Sequence, residues 1–224
     1  MNRTIYKVGF WSGLIAFLST LAYCIVQILQ VMHVLHFPLD EILIYSSSLC
    51  IVIPFVFEML AFHYTTQGEK KFWSHAALIF SIMYAVFVSA NYVVQLATVI
   101  PMKLNGTTND IAILVQTPHS MFWNFDALGY IFMGLATAMA VPVFKKHGFQ
   151  KWVRISFLAN ALVTPLIAIV YFYPGYSETL LFLGFPWGVT APTAMLLLAI
   201  MFRKDCRDTT AARNERSFYR TELV

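Results

Sequence analysis

Asp126 is a carboxylic acid set inside an otherwise apolar stretch, with Trp123 three residues before it and Tyr130 four residues after. That spacing puts the three side chains on one face of a helix. A carboxylate among aromatic rings is cation-recognition chemistry, because ring faces and carboxylate both attract positive charge. Polar groups recur in the other apolar stretches. Tyr84, Asn91 and Gln95 share one helical face, Tyr92 lies beside them, and Tyr23, Gln27 and Gln30 share another. At a rise of about 1.5 Å per residue, Asp126, Asn91, Gln95, Gln27 and Trp187 all fall about 9 to 15 Å from the same end of their helices. The expectation is a polar and aromatic pocket built from Asp126, Trp123, Tyr130, Asn91, Gln95, Tyr92, Gln27 and Trp187, with Asp126 as its fixed charge. The plainer reading is an interhelical hydrogen-bond cluster, at about 1 kcal/mol per contact. It suits the amides well. It suits Asp126 poorly, since an ionisable group at a helix centre in lipid costs about 2.5–3.5 kcal/mol.

The segment 183–193 reads Leu-Gly-Phe-Pro-Trp-Gly-Val-Thr-Ala-Pro-Thr. Pro186 and Pro192 cannot donate to the carbonyls of Phe182 and Gly188, which then need other partners. A break here would line a site, as interrupted helices do in transporters; an ordinary kink with Gly184 and Gly188 as a packing face fits equally. Glu58 lies about 27 Å along its helix from Asp40, toward the opposite side from Asp126. It is expected either to reach the interface beside His63, Lys70 and Lys71, or to belong with Asn160 to a proton or cation path.

Other chemistry is poorly supplied. No His-Glu-x-x-His or His-x-x-x-His pattern occurs, and Cys24, Cys50 and Cys206 lack Cys-x-x-Cys spacing. No lysine sits in the middle of an apolar stretch, and Asp126 is the single aspartate within one. No catalytic residue, metal site or cofactor is assigned.

The elements that must carry these residues follow from composition. Of 224 residues, 59% are hydrophobic and 12% charged, with mean hydropathy +0.68. A soluble domain carries roughly 25% charged residues, so a soluble enzyme or nucleic-acid-binding domain is excluded. The 16% aromatic content excludes a disordered chain. Crossing about 30 Å of hydrocarbon takes about 20 apolar residues, and six segments qualify: 8–32, 42–64, 73–100, 118–144, 152–173 and 179–202. Thr117 with Pro118 reads as a cap and first turn, Ser177 with Glu178 as another, and Pro101 as a stop. The apolar run 111–115 reads as a short interfacial helix.

Fourteen of the fifteen Lys and Arg residues fall in the N-terminus, the 2–3 and 4–5 connections and the tail, leaving Lys103 alone on the other side. Asp40, Glu41, Asp110 and Glu178 lie on that other side. The positive-inside rule then puts both termini in the cytoplasm.

The expected fold class is therefore an all-α integral membrane protein, six transmembrane helices in a bundle, N-in/C-in. Residues 1–204 form the transmembrane domain and 205–224 a polar, unstructured cytoplasmic tail. The expected location is the plasma (inner) membrane. The preferred function is a small transporter or channel-like protein for a small cationic solute or a proton-coupled substrate. The alternatives are a membrane-embedded enzyme acting on a lipid or sterol-like substrate, and a non-catalytic sensor or assembly subunit. Expected partners are the lipid bilayer and a small cationic or amphipathic ligand, with a homo-oligomer allowed and nucleic acid excluded.

Overall fold

The computed structural model describes residues 3–107 and 111–221, apart from the side chains of 178 and 209–221. Within them the chain is helical and contains no strand. The helices are α1 (Arg3–Val31), α2 (Leu39–Thr65), α3 (Lys71–Val94), α4 (Ile100–Leu104), α5 (Met121–Ala140), α6 (Gly148–Phe172), α7 (Glu178–Leu181) and α8 (Trp187–Thr221). A π-helical turn, Gln95–Val99, joins α3 to α4. Six helical stretches are long and apolar enough to cross a membrane: Arg3–Val31, Leu39–Thr65, Gly68–Leu104, Met121–Val143, Gly148–Phe172 and Thr179–Asp208.

Packing follows chain order. α1 lies against α2, α2 against α3, α3 against α5, α5 against α6 and α6 against α8, and α8 returns to α1 and closes the ring. Short connections make consecutive long helices antiparallel neighbours. The basic connections gather at one end, where the Arg203 guanidinium lies 5.5 Å from the centre of the Phe10 ring and Lys204 Nζ 3.7 Å from that of Phe149. Lys70 Nζ donates to the Val143 carbonyl there, at 2.8 Å. At the opposite, acidic end, Gln30 Nε2 donates to Asp40 Oδ2 at 2.9 Å and Lys103 pairs with Glu41 at 2.8 Å.

The outer surface, unlike that of a soluble protein, is strongly apolar. Trp11, Ile15, Leu18, Ile25, Ile53, Phe57, Val86, Leu162 and Val189 are exposed, whereas Glu58, Ser81, Asn91, Gln95, Asp126, Thr137 and Asn160 are buried. An exposed apolar belt around an apolar core that also shelters the polar groups is what lipid solvation selects. Close approach depends on small residues: a methyl added at Gly134 would overlap the Thr164 side chain, and one at Gly9 would come 2.6 Å from the Phe202 ring.

Several expected boundaries shift. Pro101 does not stop the third span, which runs on to Leu104. The π-turn before it, with Ile100 N–H bonded to Gln95 O, accommodates the proline's missing donor and its ring. Ser120, rather than Thr117 with Pro118, caps α5, its Oγ accepting from Trp123 N at 3.2 Å. Ser177 caps as expected, but only for the one turn of α7. The chain then tightens through Phe182–Gly184, and α8 starts afresh at Trp187. The Phe182 carbonyl is taken by Phe185 N at 3.2 Å, and the Gly188 carbonyl by Cys24 Sγ at 3.6 Å. Pro186 thus marks a break, while Pro192 sits within a continuous helix. Ile111 is in a 3-10 turn and residues 112–115 fold into turns and a bend instead of the expected helix, with Leu114 N bonded to Ile111 O at 2.8 Å. The polar tail continues α8 as far as Thr221 instead of being unstructured. Asp110 lies outside the described residues.

Candidate functional site

α3, α5 and α6 bring their polar residues together at Asp126, which is 4% exposed. The Tyr92 hydroxyl donates to Oδ1 at 2.6 Å, and the Tyr171 hydroxyl donates to Oδ2 at 2.5 Å. No Lys or Arg pairs with this carboxylate among the described residues. Two hydroxyl donors are strong, charge-assisted partners, but they bring no positive charge.

Around this pair lies a small void lined by Tyr23, Ser48, Ile51, Tyr84, Val88, Tyr92, Asp126, Tyr130 and Trp187. Its free space is about 10 Å³, room for about one water molecule. Tyr23 and Tyr130 share a hydrogen bond at 3.0 Å between their hydroxyls. Trp187 meets Tyr130 edge to face at 4.8 Å between ring centres, and Tyr23 at 5.9 Å. Its indole Nε1 is buried without a hydrogen-bond partner.

Of the eight residues expected in the pocket, Asp126, Tyr92, Tyr130 and Trp187 line this void. Trp123 stands behind it. Its ring lies 4.5 Å from that of Tyr171 and its indole N–H donates to the Tyr171 carbonyl at 3.3 Å, so it positions Tyr171. Asn91 and Gln95 turn instead to the segment between α4 and α5. Asn91 Nδ2 donates to Gln116 Oε1 at 2.9 Å, Gln95 Nε2 to the Leu114 carbonyl at 2.8 Å, and Gln116 N to Gln95 Oε1 at 3.3 Å. These bonds tie residues 114–116 down onto α3. Gln27 is drawn to the acidic end, donating to Gln30 at 3.3 Å.

Asn160 is a three-helix tie. Its Nδ2 donates to Thr137 Oγ1 at 3.2 Å, and its Oδ1 accepts from Thr190 Oγ1 at 3.1 Å. Glu58 does not reach the interface. It is fully buried, with both oxygens unpartnered, and Lys70 is engaged elsewhere.

Sequence reasoning missed Tyr171, Ser48 and Gln116. Tyr171 had a usable signal, since Asn160, Thr164, Ile167 and Tyr171 follow helical spacing down one face of α6. Ser48 and Gln116 had none that distinguished them from ordinary polar residues.

Neither family models, nor curated proteins, nor solved structures give a match to this chain. Six apolar helices with an exposed apolar belt suggest a multi-pass membrane protein; what it does must be read from its own geometry.

Proposed function

We propose that this protein is a small transporter or channel-like protein in which Asp126 binds one small cation in a closed, aromatic-walled site. The observation that carries this reading is the Asp126 carboxylate, 4% exposed and without a cationic side chain among the described residues. Burying an ion pair's worth of desolvation on one unpaired charge is a poor way to hold helices together. A bound cation supplies the missing charge, and the Tyr23, Tyr130 and Trp187 rings add faces that favour it. The size of the void narrows the solute. Space for about one water fits a monovalent ion or a hydronium and leaves no room for an organic cation in this closed form. The segment 114–116, pinned by Asn91 and Gln95, is the barrier toward the acidic end.

Orientation follows from charge: the basic end faces the cytoplasm, and the Asp126 site opens toward the outside of the plasma (inner) membrane. The membrane partner is the bilayer, and self-association is compatible with the reading without being required by it.

The test is cation flux into proteoliposomes under an imposed gradient, for the parent and for Asp126→Asn. Asn keeps the shape and a hydrogen-bonding oxygen while removing the charge. A folded Asp126→Asn protein should lose most of its flux. Equal flux would show that Asp126 serves only to hold the bundle together.

A further inference from the structure

Glu58 stands apart from everything described so far. Its side chain is 0% exposed, and neither Oε1 nor Oε2 has a hydrogen-bond partner. The seam that holds it is made of small residues. Gly13 of α1 faces the carboxyl so closely that an added methyl would overlap Oε1 and come 2.7 Å from Cδ, with the Ala199 methyl of α8 at 2.9 Å. Even alanine in place of Gly13 would displace the acid, so the glycine is the notch into which Glu58 fits.

Lys70, Arg203, Lys204 and His63, in that half of the bundle, are engaged elsewhere. Lys70 donates to Val143 O, Arg203 covers the Phe10 ring and Lys204 the Phe149 ring. His63, further along α2, bonds to Ser74 at 3.1 Å and packs on His75. From α3, the Ser81 hydroxyl bonds to its own helix at Ala77 O. α1 and α8 present Gly13 and Ala199, which carry neither charge nor donor side chain.

Nor does Glu58 belong to the Asp126 void. Ser48, Ile51, Phe55 and Glu58 follow one face of α2, and the first two line the void. Glu58 comes seven residues after Ile51, about 10 Å along the axis. Between them Phe55 is 2% exposed, its ring edge to face with Tyr84 at 5.6 Å.

We propose that Glu58 is a proton-binding site, separate from the Asp126 cage, that holds its proton in this closed form and exchanges it when the α1–α8 seam opens. An ionised carboxylate with both oxygens stripped of donors is among the costliest groups to bury. Gly13 and Ala199 offer a metal ion no side-chain ligand, and no cluster of metal-ligating side chains forms among the described residues. A proton needs none. Binding converts carboxylate and proton to the neutral acid, release reverses it, and no other reactant takes part. Small residues bring α1 and α8 close together there, Gly9 against the Phe202 ring and Gly13 against Ala199, with Ala16 buried on α1 and Ala191 and Ala194 on α8. Opening must part the Phe202 ring from Gly9 and break the contact of the Thr20 hydroxyl with Met195 Sδ.

The test is infrared spectroscopy of the full chain in lipid nanodiscs at neutral pH, comparing the parent with Glu58→Gln. The expected result is loss of one undissociated-acid C=O band in Glu58→Gln and its retention in Asp126→Asn. The band should also move to lower frequency when the parent is transferred to heavy water. Loss of an ionised-carboxylate band instead would overturn the proposal. So would an acid band that never responds to heavy water, because that proton is not exchanged. If Glu58→Gln does not fold, Gly13→Ala serves in its place, since the added methyl must push the carboxyl aside. The acid band should then shift in frequency, and an unchanged spectrum would overturn the assignment. Retention of the band in Asp126→Asn keeps this proposal independent of the cation reading at Asp126.

Discussion

The Tyr171 hydroxyl of α6 donates to Asp126 Oδ2 of α5, while the Tyr171 backbone carbonyl accepts the indole N–H of Trp123, one turn before Asp126. One residue of α6 therefore bonds twice to one face of α5, with main chain and side chain. This fixes the tyrosine hydroxyl on the carboxylate, and Tyr92 from α3 completes the grip at 2.6 Å.

Replacing Tyr171 with Phe keeps the ring against Trp123 and removes the hydroxyl alone. Asp126 Oδ2 is then buried without a donor, which costs about 1–3 kcal/mol. Thermal unfolding in detergent should fall accordingly, and Tyr92→Phe should behave alike. The double variant should lose more than the sum of the two, because the second removal takes the last hydroxyl donor and leaves the carboxylate only the Gln116 amide. Strict additivity would mean the two hydroxyls act independently on Asp126.

Residues 114–116 are held chiefly by amides. Gln95→Leu removes the donor to Leu114 O and the acceptor for Gln116 N together. At about 1 kcal/mol for each bond, local opening should become roughly 30-fold more frequent. Hydrogen exchange at the amide of Gln116 reads this directly. Exchange as slow as in the parent would mean that Ile111, 2% exposed, anchors the segment by burial alone.

The long helices were legible because each must present about 20 apolar residues to lipid, and that demand leaves a coarse, unmistakable mark. Asp126 and Trp187 were legible because polar groups at matched depth have nowhere to turn but inward, and Tyr130 because it follows Asp126 by one helical turn. Asn91 and Gln95 met the same criterion and went elsewhere. Their partners, Leu114 O and Gln116, lie in a connecting segment whose path is set by long-range packing and leaves no periodic trace. The sequence left Glu58 between two readings, the interface or an inner path, for a related reason. Position along α2 placed it near an interface, while a glycine forty-five residues earlier decided that it stays inside.

Charge distribution makes orientation testable at single residues. In a background lacking Cys24, Cys50 and Cys206, a cysteine at exposed Tyr176 should react with an impermeant maleimide added to intact cells. A cysteine at exposed Lys146 should react only after permeabilisation. The reverse pattern would invert the bundle and put the Asp126 site toward the cytoplasm.

Gly134 of α5 is where α6 comes closest. A methyl there would meet the Thr164 Cβ and Cγ2 at 2.7 Å each. Gly134→Ala should destabilise the protein by about 1–3 kcal/mol through overpacking. Adding Thr164→Ala removes the hydroxyl and Cγ2 but leaves the Cβ in place, so the rescue should be partial. Full rescue would mean that the helices separate freely at this point, and no loss at all that the contact is loose.

Trp187 tests what the void is for. Its indole Nε1 is buried with no partner, although the ring packs edge to face on Tyr130 and Tyr23. Trp187→Phe keeps an aromatic edge in that place and deletes the orphaned donor. Loss of ring volume costs stability, and loss of an unsatisfied N–H returns about 1–3 kcal/mol; the two effects oppose each other and should nearly cancel. Trp187→Ala has no such offset and should cost about 3–5 kcal/mol. Cation flux separates the remaining possibilities. An N–H repels a cation and attracts the oxygen of a water, so a site where the ion meets Asp126 directly should hold its flux within a few-fold in Trp187→Phe. A loss as deep as that of Asp126→Asn would mean that the indole holds a water on which the ion depends. Unfolding midpoints and flux on the same three variants decide between a cation held by the carboxylate and a cation held through water.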